Sequence, residues 1–151
     1  MKDKGILNSR VIVQIGIVVR DIEAVSQAYA DLLGVEKPQW FWTDEYEKAH
    51  TEFYGQPSHA RAKLAFFDMG NVQLELIEPD EKPSTWRDFL DNCGEGVHHI
   101  AFMIKEMDDE IKKLERHGMR LIQRGDYEGG RYAYIDTREQ LKVLIELLEN
   151  F

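Results

Sequence analysis

Gly96-Val97-His98-His99-Ile100-Ala101-Phe102-Met103-Ile104 decides how this chain is read. Apolar and β-branched residues fill it, Gly94 and Gly96 lead in, and the charged pair Lys105-Glu106 follows, which is the pattern of a β-strand. Neighbouring side chains on a strand point to opposite faces, so His98 and His99 are expected on different sides of the sheet. Only one of them then belongs to a given site, and the rest of the chain has to say which.

A second strand reads clearly over residues 11–19, Val11-Ile12-Val13-Gln14-Ile15-Gly16-Ile17-Val18-Val19. Asp21 offers an N-cap after it, and Ile22, Val25, Ala28, Tyr29, Leu32 and Leu33 recur at helical spacing up to Gly34. Pro38-Gln39-Trp40-Phe41-Trp42 suits a short strand, and the polar stretch 43–60 reads as a loop with one helical turn. Strands at 61–68 and 72–78 flank the Gly70-Asn71 turn and form a hairpin closed by Pro79-Asp80. A connector, 80–95, carries a short helix at 85–90. After the opening strand comes a helix at 106–117 with Met107, Ile111 and Leu114 on one face, ended by Gly118. Strands at 120–124 and 131–136 surround turns at Gly125 and Gly129-Gly130, and the last strand is 142–148.

The order is therefore β-α-β-β-β twice, and the residues repeat as well. Gln14-Ile15-Gly16-Ile17-Val18-Val19-Arg20-Asp21-Ile22 aligns with His99-Ile100-Ala101-Phe102-Met103-Ile104-Lys105-Glu106-Met107. Ala65-Phe66-Phe67-Asp68 aligns with Ala133-Tyr134-Ile135-Asp136, and Glu75-Leu76-Ile77-Glu78 with Glu146-Leu147-Leu148-Glu149. Three matches in register indicate an internal duplication.

Duplication separates the two histidines. Around a pseudo-symmetry axis His99 pairs with Gln14 and Glu75 with Glu146, whereas the counterpart of His98 is the apolar Val13. His98 is therefore assigned to packing or to supporting the site from behind. Gly16 and Ala101, two positions beyond Gln14 and His99, are small and leave room for a ligand. Lys142, Leu144 and Glu146 share one side of their strand. Two glutamates converging with an imidazole and an amide repel each other unless one is protonated or a cation lies between them. Imidazole, carboxylate and amide-oxygen donors suit a divalent metal such as zinc, nickel, cobalt, manganese or iron, so Gln14, Glu75, His99 and Glu146 are the expected metal ligands.

Composition narrows the partners. The 151 residues carry a net charge of -9, with 43% hydrophobic and 31% charged residues, ordinary for a globular protein and opposed to a nucleic-acid or anionic-membrane partner. One cysteine, Cys93, excludes an internal disulfide and a cysteine zinc cluster. Residues 1–10 are polar and lack the apolar core of a signal peptide, and no apolar run approaches the ~20 residues of a membrane span. A cytoplasmic location is expected.

The repeated βαβββ module, the Gln14-Ile15-Gly16-Ile17-Val18-Val19 opening, Leu74-Glu75-Leu76-Ile77-Glu78-Pro79, Gly96-Val97-His98-His99-Ile100-Ala101-Phe102 and Leu144-Ile145-Glu146-Leu147 resemble the vicinal oxygen chelate superfamily. That group includes glyoxalase I, methylmalonyl-CoA epimerase, extradiol dioxygenases and bleomycin-resistance proteins. The resemblance implies one α+β domain over 1–151, in which module one (about 11–79), a connector (80–95) and module two (96–149) form a half-open eight-stranded mixed β-barrel around a metal cleft. It also implies a homodimer.

Within the superfamily, the Glu-Leu-Ile-Glu-Pro and Gly-Val-His-His-Ile-Ala-Phe segments are most similar to methylmalonyl-CoA epimerase. This implies an enzyme that moves a proton at the carbon next to a carbonyl, with an acyl-CoA or other thioester or 2-oxo compound as substrate. By that resemblance Glu146 is ligand and candidate base, and a second acid or base comes from Glu75 or from Glu45, Glu47 or Glu52. Epimerases usually carry His where this chain has Gln14, and the Gln, Glu, His, Glu set looks like the zinc type of glyoxalase I, a lactoylglutathione lyase. Asp136-Thr137-Arg138-Glu139-Gln140 departs from the Asp-Pro-Asp-Gly-Tyr turn of glyoxalases. A metal-free ligand-binding protein of the bleomycin-resistance kind is the third reading. Trp40, Trp42, Phe66, Tyr132 and Tyr134 are candidate pocket walls, and Arg61, Lys63, Arg124 and Arg131 are candidates for a substrate phosphate or carboxylate.

Overall fold

The computed structural model describes residues 5–151, so the first four residues of the polar stretch 1–10 lie outside the described residues. In chain order the elements are β1 (Ile12–Val18), α1 (Ile22–Leu33), β2 (Phe41–Trp42), α2 (Tyr46–Ala49), β3 (Glu52–Phe53), β4 (Gln56–Pro57), β5 (Ala62–Asp68), β6 (Gln73–Pro79), α3 (Thr85–Cys93), β7 (Gly96–Met103), α4 (Met107–Arg116), β8 (Leu121–Tyr127), β9 (Gly130–Ile135), α5 (Arg138–Leu141) and β10 (Leu144–Asn150).

These strands make one mixed sheet, curled into a half-barrel, in the order β2-β5-β6-β1-β7-β10-β9-β8-β3-β4. β1 and β7 meet antiparallel at its centre. Each pairs in parallel with the last strand of its own module, β1 with β6 and β7 with β10. The third strand of each module follows antiparallel, β5 on β6 and β9 on β10. Outward from the β1–β7 seam the two halves read alike, as the duplication requires.

Packing follows strand parity. On the outer face α1 covers Ala65, Phe67, Leu74 and Leu76 with Ile22, Val25 and Tyr29. It begins at Asp21, whose carboxylate accepts from the Ala24 N–H, a cap that contributes about 1 kcal/mol, and ends at Gly34 in the left-handed conformation (φ 68°). α4 covers Ala133, Ile135, Ile145 and Leu147 with Met107, Ile111 and Leu114, the face that helical spacing singled out. On the other side of the sheet Val18, Ile77 and Tyr134 pack against Trp86 and Leu90 of α3, so the connector helix plugs one end of the curl.

Several expectations are corrected. The sheet has ten strands rather than eight, because the stretch read as a loop, 43–60, adds the β3–β4 hairpin to the edge of β8 in the other module. Backbone pairing across modules forms those two-residue strands, and so short a segment carries no periodicity of its own. The aromatic segment 38–42 is a strand only at Phe41–Trp42. Gly125 is not a turn: it lies inside β8, opposite Tyr132, whose ring fills the space above it. Lys142 is not on the last strand, since it ends the short helix α5 with φ 68° and therefore does not share a side with Glu146. Among the described residues no helix is long and apolar enough to cross a membrane.

One irregularity shapes the site. The β1–β7 register slips twice, passing over Val13 on β1 and His98 on β7. Each is an extra residue of a β-bulge, and the two bulged positions are the duplicated pair Val13 and His98.

Candidate metal centre

The register brings the four expected ligands together. Across the seam Gln14 opposes Ala101 and Gly16 opposes His99, while Gly16 pairs with Glu75 on β6 and Ala101 with Glu146 on β10. Each carboxylate thus sits one strand away from the small residue of its own module. All four side chains are buried, His99 completely.

They converge on one atom. His99 Nε2 lies 2.9 Å from Gln14 Oε1, 3.2 Å from Glu146 Oε1 and 3.5 Å from Glu75 Oε1. A single ring N–H serves one acceptor, and three acceptors face it. Glu75 Oε1 and Glu146 Oε1 are left buried without a hydrogen-bond partner. Burial pushes the Glu75 carboxyl well above the usual carboxylate range, and repulsion from Glu146 adds to it. Burial likewise pushes Glu146 up to about 8, against a small opposing pull from the Tyr134 hydroxyl. Desolvation lowers His99 to about 3, so the ring is neutral and carries a lone pair.

A cation fits this donor set. One imidazole nitrogen, two carboxylates and an amide oxygen satisfy a divalent ion, and the two orphaned carboxylate oxygens are the atoms it would serve. The described residues hold no cluster of three His, Cys, Asp or Glu side chains already spaced as a metal cage. The donors instead touch one another on His99 Nε2. Orphaned buried oxygens are costly in a folded protein, and a cation would remove that cost.

Gly16 holds no room for a ligand, contrary to expectation. The His99 imidazole occupies that space, and a Cβ at Gly16 would meet its Cε1 at 2.0 Å. The separation of His98 from His99 is also corrected. The bulge cancels the alternation of faces, and His98 Nδ1 lies 2.9 Å from His99 Nδ1.

Gln14, Glu75 and Glu146 border a cleft of about 680 Å³. Trp42, Phe66, Tyr132 and Tyr134 wall it as expected. Trp40 does not, because it packs beside α1 with its indole N–H on Glu23. Glu45, Glu47 and Glu52 are exposed and outside the cleft wall, which takes Asp44 from the same stretch. Sequence reading also missed Gln73, whose Oε1 accepts from the Gln14 amide at 2.6 Å; its parity with Glu75 was the available signal. Arg124 and Arg131 are engaged by Asp108 and Glu149. Arg61 and Lys63 stack over Trp42 but do not line the cleft, and they pair with Glu45 and Glu78. A smaller hollow of about 190 Å³, walled by Phe53, Phe89 and Arg138, contains none of the four converging residues.

The chain is 38% identical over 92 residues to the uncharacterized protein YqjC of Bacillus subtilis, a stretch covering 59% of this chain and 66% of that one, just under two thirds of its length. It is 26% identical over 122 residues to the ethylmalonyl-CoA/methylmalonyl-CoA epimerase of Cereibacter sphaeroides, with 79% of each covered. Among solved structures it is similar to a variant of the Streptomyces coelicolor methylmalonyl-CoA epimerase in complex with 2-nitronate-propionyl-CoA, with a TM-score of 0.63, 25% identity and coverage of 95% of this chain and 99% of that one. The sequence matches the Glyoxalase/Bleomycin resistance protein/Dioxygenase superfamily over residues 13–135, most of the chain, and the protein belongs to that superfamily.

Proposed function

We propose that the chain is a metal-dependent isomerase that moves a proton at the carbon next to the carbonyl of a thioester, as a methylmalonyl-CoA epimerase does. The observation that carries it is the convergence of Gln14, Glu75 and Glu146 on His99 Nε2 at the edge of a cleft of ligand size. Similarity to epimerases in sequence and fold supports the choice of reaction.

Gln14, Glu75, His99 and Glu146 would hold the cation. When bound, a divalent cation supplies positive charge against negative charge developing on a substrate carbonyl oxygen. The remaining work belongs to the chain. Glu146 is the candidate base, a buried carboxylate with an orphaned oxygen at the wall of the cleft. Glu75 or Asp44, both lining the cleft, is the candidate acid that returns the proton. Trp42, Phe66 and Tyr132 hold the acyl group away from water.

The donor set favours a second reading, a glyoxalase I-type lyase acting on a thiol adduct of a 2-oxoaldehyde, because Gln14 stands where epimerases usually carry His. Purified chain is loaded with Zn²⁺, Co²⁺, Ni²⁺ or Mn²⁺ and assayed for solvent-deuterium incorporation into methylmalonyl-CoA and for turnover of a glutathione hemithioacetal. Deuterium exchange with stoichiometric metal supports the isomerase, and turnover of the hemithioacetal alone replaces it with the lyase. Failure to hold any of the four metals sinks both and leaves the metal-free binding protein.

A further inference from the structure

The proposed reaction leaves the buried His98 unused, and it touches the centre directly. His98 is 1% exposed. The Phe89 and Tyr134 rings flank it edge-on, at 5.4 and 5.0 Å between centroids. Its Nδ1 lies 2.9 Å from His99 Nδ1, and its Nε2 lies 3.2 Å from Thr85 Oγ1 at the start of α3. The bulge at His98 makes this contact, since an unbroken strand would turn the two rings to opposite faces.

A hydrogen bond between two ring nitrogens needs one N–H and one lone pair. If His99 is to give its Nε2 lone pair to a cation, its single proton belongs on Nδ1. That N–H then donates to His98 Nδ1, which must be bare, so the His98 proton belongs on Nε2 and donates to Thr85 Oγ1. Each ring keeps one proton, and the chain of bonds ends on a side chain fixed by a helix.

We propose that His98, anchored on Thr85, is a positioning residue that fixes the His99 proton on Nδ1 and keeps the Nε2 lone pair facing Gln14, Glu75 and Glu146. The proposal rests on the metal-centre reading of those four residues. The other module supports it by contrast. The duplicated position there is Val13, because the amide of Gln14 has no tautomer to choose. Gln14 is oriented instead by Gln73, whose Oε1 accepts from its NH₂ at 2.6 Å and leaves Gln14 Oε1 toward His99.

The test measures ¹⁵N ring shifts of the full chain, without metal and with Zn²⁺, beside zinc affinity and melting temperature. Variants are His98→Phe, which keeps the aromatic contacts, His98→Asn, whose amide oxygen stands in for Nδ1, and Thr85→Val. With Zn²⁺ bound His99 is expected as the Nδ1–H tautomer, whereas without metal its Nε2–H can serve Gln14 Oε1. His98→Phe should shift it toward Nε2–H and weaken zinc about 10–100-fold, the usual effect of losing a support behind a metal ligand. His98→Asn should recover most of that affinity, and Thr85→Val should weaken zinc severalfold.

Zinc affinity within about twofold of the parent in His98→Phe overturns the proposal. If His98→Phe does not fold, the Asn and Val variants carry the same comparison, and parent-like tautomer and affinity in Thr85→Val overturn the anchoring by Thr85. A parent chain that takes no zinc sinks the metal-centre reading, whereas a parent that takes zinc beside an unimpaired His98→Phe sinks the positioning alone.

Discussion

The His99 imidazole lies directly over the backbone of Gly16, where a Cβ would come within 2.0 Å of Cε1 and 2.5 Å of Nδ1. His99 is fully buried and held at both ring nitrogens, so it has no free direction in which to yield. Gly16→Ala should therefore displace the ring rather than be absorbed by it. Overpacking of this kind costs about 1–3 kcal/mol. The expected outcome is a stability loss in that range, read from denaturant midpoints, with zinc binding weakened at least about tenfold as Nε2 leaves the other donors. Parent-like zinc affinity in Gly16→Ala would show that His99 is not a ligand.

The buried acid groups give the metal-free chain an unusual pH profile. Glu146 titrates at about 8 when folded, against 4.5 for a free side chain. The folded form thus binds more protons than the unfolded form between those values, and stability falls as pH rises through that window. Glu75 acts in the same direction and is coupled to Glu146. His99, lowered from 6.5 to about 3, has the opposite sign, so stability rises with pH from about 3 to 6.5. The two trends oppose each other between 4.5 and 6.5, and only the fall remains between 6.5 and 8. Melting temperature without metal should drop across that last interval, and saturating Zn²⁺ should remove the drop by favouring ionised carboxylates. A flat metal-free profile from pH 6.5 to 8 would mean that the carboxyls are already ionised.

Much of this was legible in the sequence, for a physical reason. Duplication leaves the same hydrophobic pattern twice, and symmetry then converts Gln14, Glu75, His99 and Glu146 into one site without any coordinates. Element boundaries at Asp21, Gly34 and Gly118 were marked by caps that act locally. Apart from the short helix that ends at Lys142, the failures were non-local. The strands at Glu52–Phe53 and Gln56–Pro57 exist only because β8 supplies partners. The bulge at His98 depends on how β1 and β7 register, so alternation of faces predicted the wrong side for one histidine. Gly125 was read as a turn because glycine usually marks one, whereas here it makes room for Tyr132.

Replacing one carboxylate by its amide should separate stability from function. Two buried carboxyls with orphaned oxygens are a cost to the metal-free fold. Glu75→Gln or Glu146→Gln removes one ionisation and the mutual repulsion while nearly preserving shape. At pH 8.5 without metal, either variant should be more stable than the parent by about 1 kcal/mol, a typical gain when a functional site is relieved of strain. Zinc affinity should fall by more than the about 10–100-fold that loss of an indirect support produces. Chemical denaturation and metal titration at one pH check both halves. A less stable Glu146→Gln would remove the argument from repulsion.

Tyr132 offers the complementary test, of cleft shape with the ligands left alone. Its ring covers Gly125, with Cε1 and the hydroxyl each 2.8 Å from the position of an added Cβ, and its hydroxyl accepts from Gln123 Nε2 at 3.0 Å. Tyr132 also walls the cleft. Gly125→Ala should push the ring into the cleft and break the bond to Gln123. None of the four converging residues lies on β8 or β9, so zinc affinity should stay within about twofold of the parent while stability falls by about 1 kcal/mol. Misplacing a wall by a fraction of an ångström to 1 Å costs up to about a hundredfold in rate, and here a loss of roughly tenfold in kcat/KM is expected, mainly through KM. Unchanged KM with reduced zinc affinity would reverse this picture and place Tyr132 in the support of the metal centre.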